Sequence, residues 1–208
     1  MIKGLLGQKV GMTQYFSENG IAEAATLIDA GPCTIVRVKT SESDGYCAAC
    51  LGFGDTKKLG AVLKGQCRGF GEFKHLREFR LENSEGVNVG DKLDVSIFQP
   101  GDKVTITGVS KGRGFAGGVK RHNFRGGPKT HGQSDRQRAV GSISSTTTPG
   151  RVYKGTRMPG HMGHERVTVR NLVILKIDVE RNQLLVRGAV PGAKNGLLLI
   201  DMSKGRSK

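Results

Sequence analysis

Residues 110–164 limit what this chain can become more than any other stretch. They read SKGRGFAGGVKRHNFRGGPKTHGQSDRQRAVGSISSTTTPGRVYKGTRMPGHMGH. Lysine and arginine occur 11 times in these 55 residues, at Lys111, Arg113, Lys120, Arg121, Arg125, Lys129, Arg136, Arg138, Arg151, Lys154 and Arg157. The one acid is Asp135. The chain carries a net charge of +15, so +10 of it lies here, and the other 153 residues hold 22 basic and 17 acidic side chains. Four of the five histidines, His122, His131, His161 and His164, and 12 of the 32 glycines also fall in this stretch. Apolar residues are sparse and follow neither the period of a strand nor that of a helix. Such a segment buries too little apolar surface to offset the entropy of ordering it. A loop this long without pattern is functional or disordered. A merely solvated loop would mix its charge signs, and this one nearly excludes acids. The matching partner is a polyanion whose phosphates accept Arg and Lys contacts.

The flanking sequence is of a different kind. The whole chain, at 208 residues, allows one large domain or two small ones with a real core. With 36% hydrophobic residues, 5% aromatics and no Trp, that core is aliphatic and modest. The start, MIKGLLGQKVGM, shows no apolar targeting region, and the longest apolar run, Tyr46 to Leu51, is far short of a membrane span. The expectation is a cytoplasmic protein with reduced cysteines and no membrane partner.

Residues 1–53 read as β, with a turn at Gly31-Pro32, a strand over 35–39 and another over 46–53. Residues 54–80 look like a weakly periodic excursion with one short helix near Ala61 to Lys64. Leu93, Val95, Val104 and Ile106 alternate with polar partners around a Pro100-Gly101-Asp102 turn. Leu175, Ile177 and Val179 lead into a hairpin at Arg181-Asn182, and 197–200 is a last strand. Strands on both sides of the basic stretch predict a mainly β fold. Its economical form is a closed or nearly closed antiparallel barrel, which removes exposed edges. The expected domains are 1–109 with 166–208, carrying the smaller inserted segment at 54–80, and a long basic internal extension at 110–165.

Several motifs match by spacing and fail by context. Gly108-Val109-Ser110-Lys111-Gly112 fits a serine-hydrolase elbow, with Asp135 and His161 following in triad order. The elbow needs a strand, a tight turn and a helix, and the glycines that follow are poor helix material. Gly112, Gly114 and Gly117 fit a dinucleotide fingerprint but lack the same helix and a second strand. Arg68-Gly69-Phe70-Gly71-Glu72-Phe73 half-fits an RNA-recognition motif, yet Glu72 stands where a stacking aromatic belongs. Cys47 and Cys50, three apart on a strand, point to opposite faces and cannot share a metal, so small core residues are the better reading. The histidines have no helical pairing and no neighbouring cysteine, so they suit bases and phosphates rather than a metal. No cofactor, metal or small-molecule substrate is expected.

Other stretches give a more specific signal. GLLGQKVGMTQYF, AGPCTIVRVKT, LGFG, LREFR, GVSKGRGFAGGVKRHNFRGGPKTHG and PGRVYKGTRMPGHMGHERVTVRNL, in that order from residue 4 to about 192, resemble the bacterial large-subunit ribosomal protein L-three family. The resemblance implies a six-stranded barrel like that of the second domains of translation factors. It also implies an internal extension entering the large-subunit ribosomal RNA towards the peptidyl-transferase centre, and early binding near the 3′ domain of that RNA. It implies no enzymatic activity, and neighbours among the large-subunit proteins, the L-fourteen and L-nineteen proteins. The cations listed above and the four histidines are then the expected RNA contacts. Ser144, Ser145, Thr146, Thr147 and Thr148 are the expected extension tip near the peptidyl-transferase centre. Some family members carry a methylated glutamine before T-P-G; this chain has hydroxyl residues there, so that modification is not carried over. The competing readings are a free RNA chaperone and, far behind, a serine hydrolase.

Overall fold

The chain begins with β1 (Gly4–Phe16), β2 (Ala22–Ala30) and β3 (Cys33–Lys39), then a one-turn helix α1 (Ser41–Asp44) and β4 (Ala48–Asp55). Helix α2 (Ala61–Gln66), β5 (Phe73–Arg80), β6 (Lys92–Leu93), a short 3-10 turn at Val95–Ile97 and β7 (Lys103–Val109) follow. Next come β8 (Phe115–Ala116), α3 (Gly118–His122) and β9 (Gly160–His161), and the chain closes with β10 (Arg166–Asp178), β11 (Gln183–Arg187) and β12 (Leu197–Met202). The computed structural model describes residues 2–83 and 86–203. The chain divides into two units, Met1–Val109 with Arg166–Lys208, and Ser110–Glu165. Residues 1, 84–85 and 204–208 of the expected domain ranges lie outside the described residues.

In the first unit, six strands close on themselves in the order β1-β12-β7-β10-β11-β2, every pair antiparallel. Successive side chains of a strand face opposite sides, and the sequence uses this directly. Val104 and Ile106 of β7, Leu184 and Val186 of β11, and Leu198 and Ile200 of β12 are all fully buried, each pair two positions apart. Burying each such side chain contributes about 1.5–3 kcal/mol. Register shifts between Lys9 and Gly11, Val169 and Leu172, and Ile174 and Lys176 mark bulges in the ring, the devices that bend strands enough to close. Lys9 is buried beside one of them, and its Nζ donates to the carbonyls of Val190 at 2.8 Å and Gly192 at 3.2 Å.

Two expectations about this unit change. The excursion at 54–80 is not all loop: α2 is where a short helix is expected, but β5 occupies 73–80 and pairs with β4. Its sequence, FKHLREFR, is too charged to look like a strand, because Phe73 and Phe79 alone supply its buried positions. The strand candidates at 35–39, 46–53 and around Leu93 also lie outside the barrel. They form a second sheet in the order β5-β4-β3-β6. Ile35, Leu51 and Phe53 of that sheet join the barrel core, while Val36, Cys67 and Phe73 make a separate small cluster. Strand candidates of both sheets are short and apolar, and nothing in their sequence says which sheet each joins. Val95, read as part of a strand, sits in the 3-10 turn.

The cysteines divide as well. Cys33 and Cys67 are buried, whereas Cys47 and Cys50, expected as small core residues, are only half-buried. Burial pushes the Cys33 thiol up to about 11, and its Sγ donates to the Leu6 carbonyl at 3.5 Å.

Candidate nucleic-acid interface

Residues 110–165 have little regular structure, and backbone hydrogen bonds close their base. Ser110 N–H donates to the Glu165 carbonyl at 2.9 Å, and Glu165 N–H returns to Ser110 Oγ at 3.2 Å. Arg113 N–H donates to the Met162 carbonyl at 2.8 Å and Met162 N–H to that of Gly114 at 3.0 Å, ahead of the β8–β9 pair. Gly163 makes this closure possible. It has φ +77, and a Cβ there would run into the Lys111 carbonyl. Ser110, the would-be nucleophile, thus spends its hydroxyl on backbone. The glycines after it do lead into a helix, α3, against expectation, but of five residues only.

Beyond the base, Arg121 and His122 tie the two limbs together. Arg121 Nη1 donates to the Met158 carbonyl at 2.8 Å, and His122 Nε2 reaches the same oxygen at 3.1 Å. The His122 ring lies against Phe124, centroids 5.8 Å apart. Both residues are half-buried. They serve the unit's own structure, which distinguishes them from the remaining expected contacts.

Lys111, Arg113, Lys120, Arg125, Lys129, Arg136, Arg138, Arg151, Lys154 and Arg157 are exposed, as are His131, His161 and His164. Among the described residues, none of these cations meets a carboxylate; the four ion pairs found, Arg37–Asp44, Lys39–Glu78, Lys64–Glu72 and Arg187–Glu23, all belong to the first unit. Lys39 there lies 2.7 Å from Glu78, and both bond Tyr46 Oη, at 2.7 and 2.8 Å. Hydrogen bonds from Lys39 and Tyr46 hold the Glu78 carboxyl below its ordinary value, and the same carboxylate and phenol raise the Lys39 ammonium. The cations of 110–165 lack such an internal partner, so their field is directed at solvent and at whatever anion enters it.

Between Arg138 and Arg151 the chain has 12 residues without a charge. Ser144, Ser145, Thr146, Thr147 and Thr148 within it are exposed, and the Ser142 hydroxyl donates to the Ser144 carbonyl at 2.8 Å. Among the described residues no three His, Cys, Asp or Glu side chains are grouped to hold a metal ion. Two exposed arginines just past the stretch, Arg166 and Arg170 on β10, were not among the expected contacts. The continuing charge in ERVTVRN was the available signal.

A profile of the family described as "Ribosomal protein L3" matches residues 56–183. The chain belongs to the ribosomal protein L3 family. A large ribosomal subunit protein uL3 of Dehalococcoides mccartyi is 61% identical over 200 residues, covering 96% of this chain and 98% of the relative. That of Herpetosiphon aurantiacus is 52% identical over 211 residues and covers both chains fully, at 100%. That of Trichlorobacter lovleyi is 45% identical over 212 residues, again 100% of both. The L3 family consists of structural ribosomal proteins, not enzymes. The profile match takes in all of 110–165, so the basic unit is part of what defines the L3 likeness.

Proposed function

We propose that the chain is a structural constituent of the large ribosomal subunit whose residues 110–165 bind large-subunit ribosomal RNA. The observation that carries this reading is the set of exposed cations in that unit with no carboxylate partner. Each cation that meets a phosphate releases condensed counterions, which supplies affinity without reading sequence. RNA helices are recognised chiefly through shape, phosphates and 2′-hydroxyls, and a small-residue, glycine-rich unit allows that close approach. In this reading the protein works in the ribosome, in the cytoplasm, and binds near the 3′ domain of the RNA early in subunit assembly. The first unit is a translation-protein-like barrel that anchors 110–165, which acts as an RNA-penetrating extension. Its uncharged segment, Ser144 to Thr148, lies near the peptidyl-transferase centre. The L-fourteen and L-nineteen proteins are its protein neighbours.

The test is sedimentation of cell extract with and without a high-salt wash. A structural constituent stays with large subunits through the wash. A protein that washes off and runs as free complexes with other RNAs is a chaperone, and the reading fails.

A further inference from the structure

Within 110–165 lies an open cleft of about 490 Å³. That volume lies within the range of ligand-binding clefts, about 300–1,000 Å³. Its floor is apolar. Phe124 and Val140 converge on Gly118, where a Cβ would meet Val140 Cγ2 at 2.8 Å and Phe124 Cδ2 at 3.0 Å. Its walls are two backbone segments in close contact. Gly127 N–H donates to the Gln137 carbonyl at 2.9 Å, and Gly126, at φ +73, has no room for a side chain against that same carbonyl. Its rim carries Arg125 and Arg136, both exposed and without a carboxylate, and Gln133, whose amide has no hydrogen-bond partner among the described residues.

We infer that this cleft receives one unstacked nucleotide of the bound RNA, with its base on the Phe124–Val140 floor and its phosphate between Arg125 and Arg136. This rests on the RNA-binding reading and adds to it a place where a base, rather than the backbone alone, is held. A bare phosphate would gain nothing from the apolar floor, and a purely apolar ligand nothing from two arginines. A nucleotide has what both parts need: a flat face, a polar edge and an anion. Single-stranded RNA is recognised by splaying bases onto aromatic or guanidinium planes and bonding their edges. The Gln133 amide offers a donor and an acceptor for such an edge. Each guanidinium can fork onto phosphate oxygens.

The experiment compares the full chain with Gln133→Ala and Ala139→Leu in complex with a transcript of its large-subunit RNA. Ala139 is exposed and lines the cleft, so leucine there fills space without touching the core, while Gln133→Ala only removes atoms. Base-edge chemical probing and affinity against salt are read for each. The wild type is expected to protect one unpaired base that both variants leave reactive. Both variants should bind about tenfold more weakly, in line with the loss of a stacked base, with the salt slope unchanged. Lys154→Ala, away from the cleft, should lower the slope by about 1 and leave that base protected. If both cleft variants match the wild type in affinity and protection, the cleft holds no base and the inference is overturned, while RNA binding by the wild type keeps the broader reading. If the variants lower the salt slope without exposing a base, the rim is a phosphate site only and the inference is again overturned. If the wild type itself does not bind the transcript, the broader reading fails first.

Discussion

Lys39, in the barrel unit, lies 2.7 Å from Glu78 and shares Tyr46 with it; Arg125, in residues 110–165, is exposed and pairs with no carboxylate among the described residues. Lys9 follows Lys39 in being answered from within, since it is buried on the carbonyls of Val190 and Gly192. Lys129, Arg138 and Lys154 follow Arg125. In the barrel unit some cations are consumed by the fold; in 110–165, Arg121 apart, they are left over among the described residues. The cores differ in the same sense. The barrel unit buries Leu5, Leu6, Ile28, Ile106 and Ile200 completely, while in 110–165 the buried apolar residue is Ala116. A unit held by a few carbonyls and glycines has the charge to spare for a partner.

The comparison breaks most visibly in stability. Ile106→Ala should cost about 2–5 kcal/mol, the range for truncating a fully buried aliphatic side chain, whereas Lys154→Ala should stay within about 0.5 kcal/mol. Denaturant unfolding of both variants checks this, and a large loss from Lys154→Ala would mean that the basic unit is stabilised by contacts its surface does not show. Next in size, Arg125→Ala combined with Lys129→Ala should reduce the salt slope of RNA binding by about 2, leave the unfolding transition in place and lower the yield of large subunits. A third variant sharpens the division inside 110–165. Ser145→Arg or Thr147→Arg should leave RNA affinity nearly unchanged yet alter peptide-bond formation, or sensitivity to drugs of that centre, in assembled subunits. Loss of assembly with normal behaviour of the subunits that do form would place the uncharged segment among the assembly contacts instead. The smallest effect belongs to Glu78. Its carboxyl is held below its unfolded value by Lys39 and Tyr46, so its contribution is present above about pH 4.3 and is lost as pH falls through the folded value. Glu78→Gln should therefore lower stability slightly near pH 8, where the pair is charged, and make no difference at pH below the folded value, so that the acid side of the curve flattens; the effect is small because the pair is solvent-screened.

Much of this was legible in the chain because period and charge report directly on packing. Val104 and Ile106 show their barrel face through simple alternation, whereas Leu184 and Val186, and Leu198 and Ile200, lie in continuous apolar runs that mark a strand but not its inward face. The edges of the basic unit show in the switch at Ser110 from alternation to Arg and Gly. What the sequence pattern cannot convey is which sheet a strand joins: Ile35 and Leu51 lie in apolar strand candidates as Ile106 does, yet belong to the second sheet. β5 was hidden because its exposed positions are charged and its buried ones few. In the candidate interface, composition named the cations but not their roles. Arg121 and Arg125 are four residues apart and look alike, and only the fold shows that one reaches the Met158 carbonyl while the other faces solvent. Gln133 and Val140 carry no signal at all until two backbone segments bring them to one cleft.

The central claim is that affinity for RNA resides in 110–165 and stability in the rest. The hydrogen-bonded pair Ser110 and Glu165 marks where 111–164 can be replaced by a short glycine linker. The decisive measurement is the slope of log affinity against log salt for large-subunit RNA, taken for the shortened and the full chain. The account predicts that the shortened chain still unfolds in one cooperative transition and loses most of the slope. A shortened chain that keeps the full slope would put the phosphate contacts on the barrel unit and contradict the account.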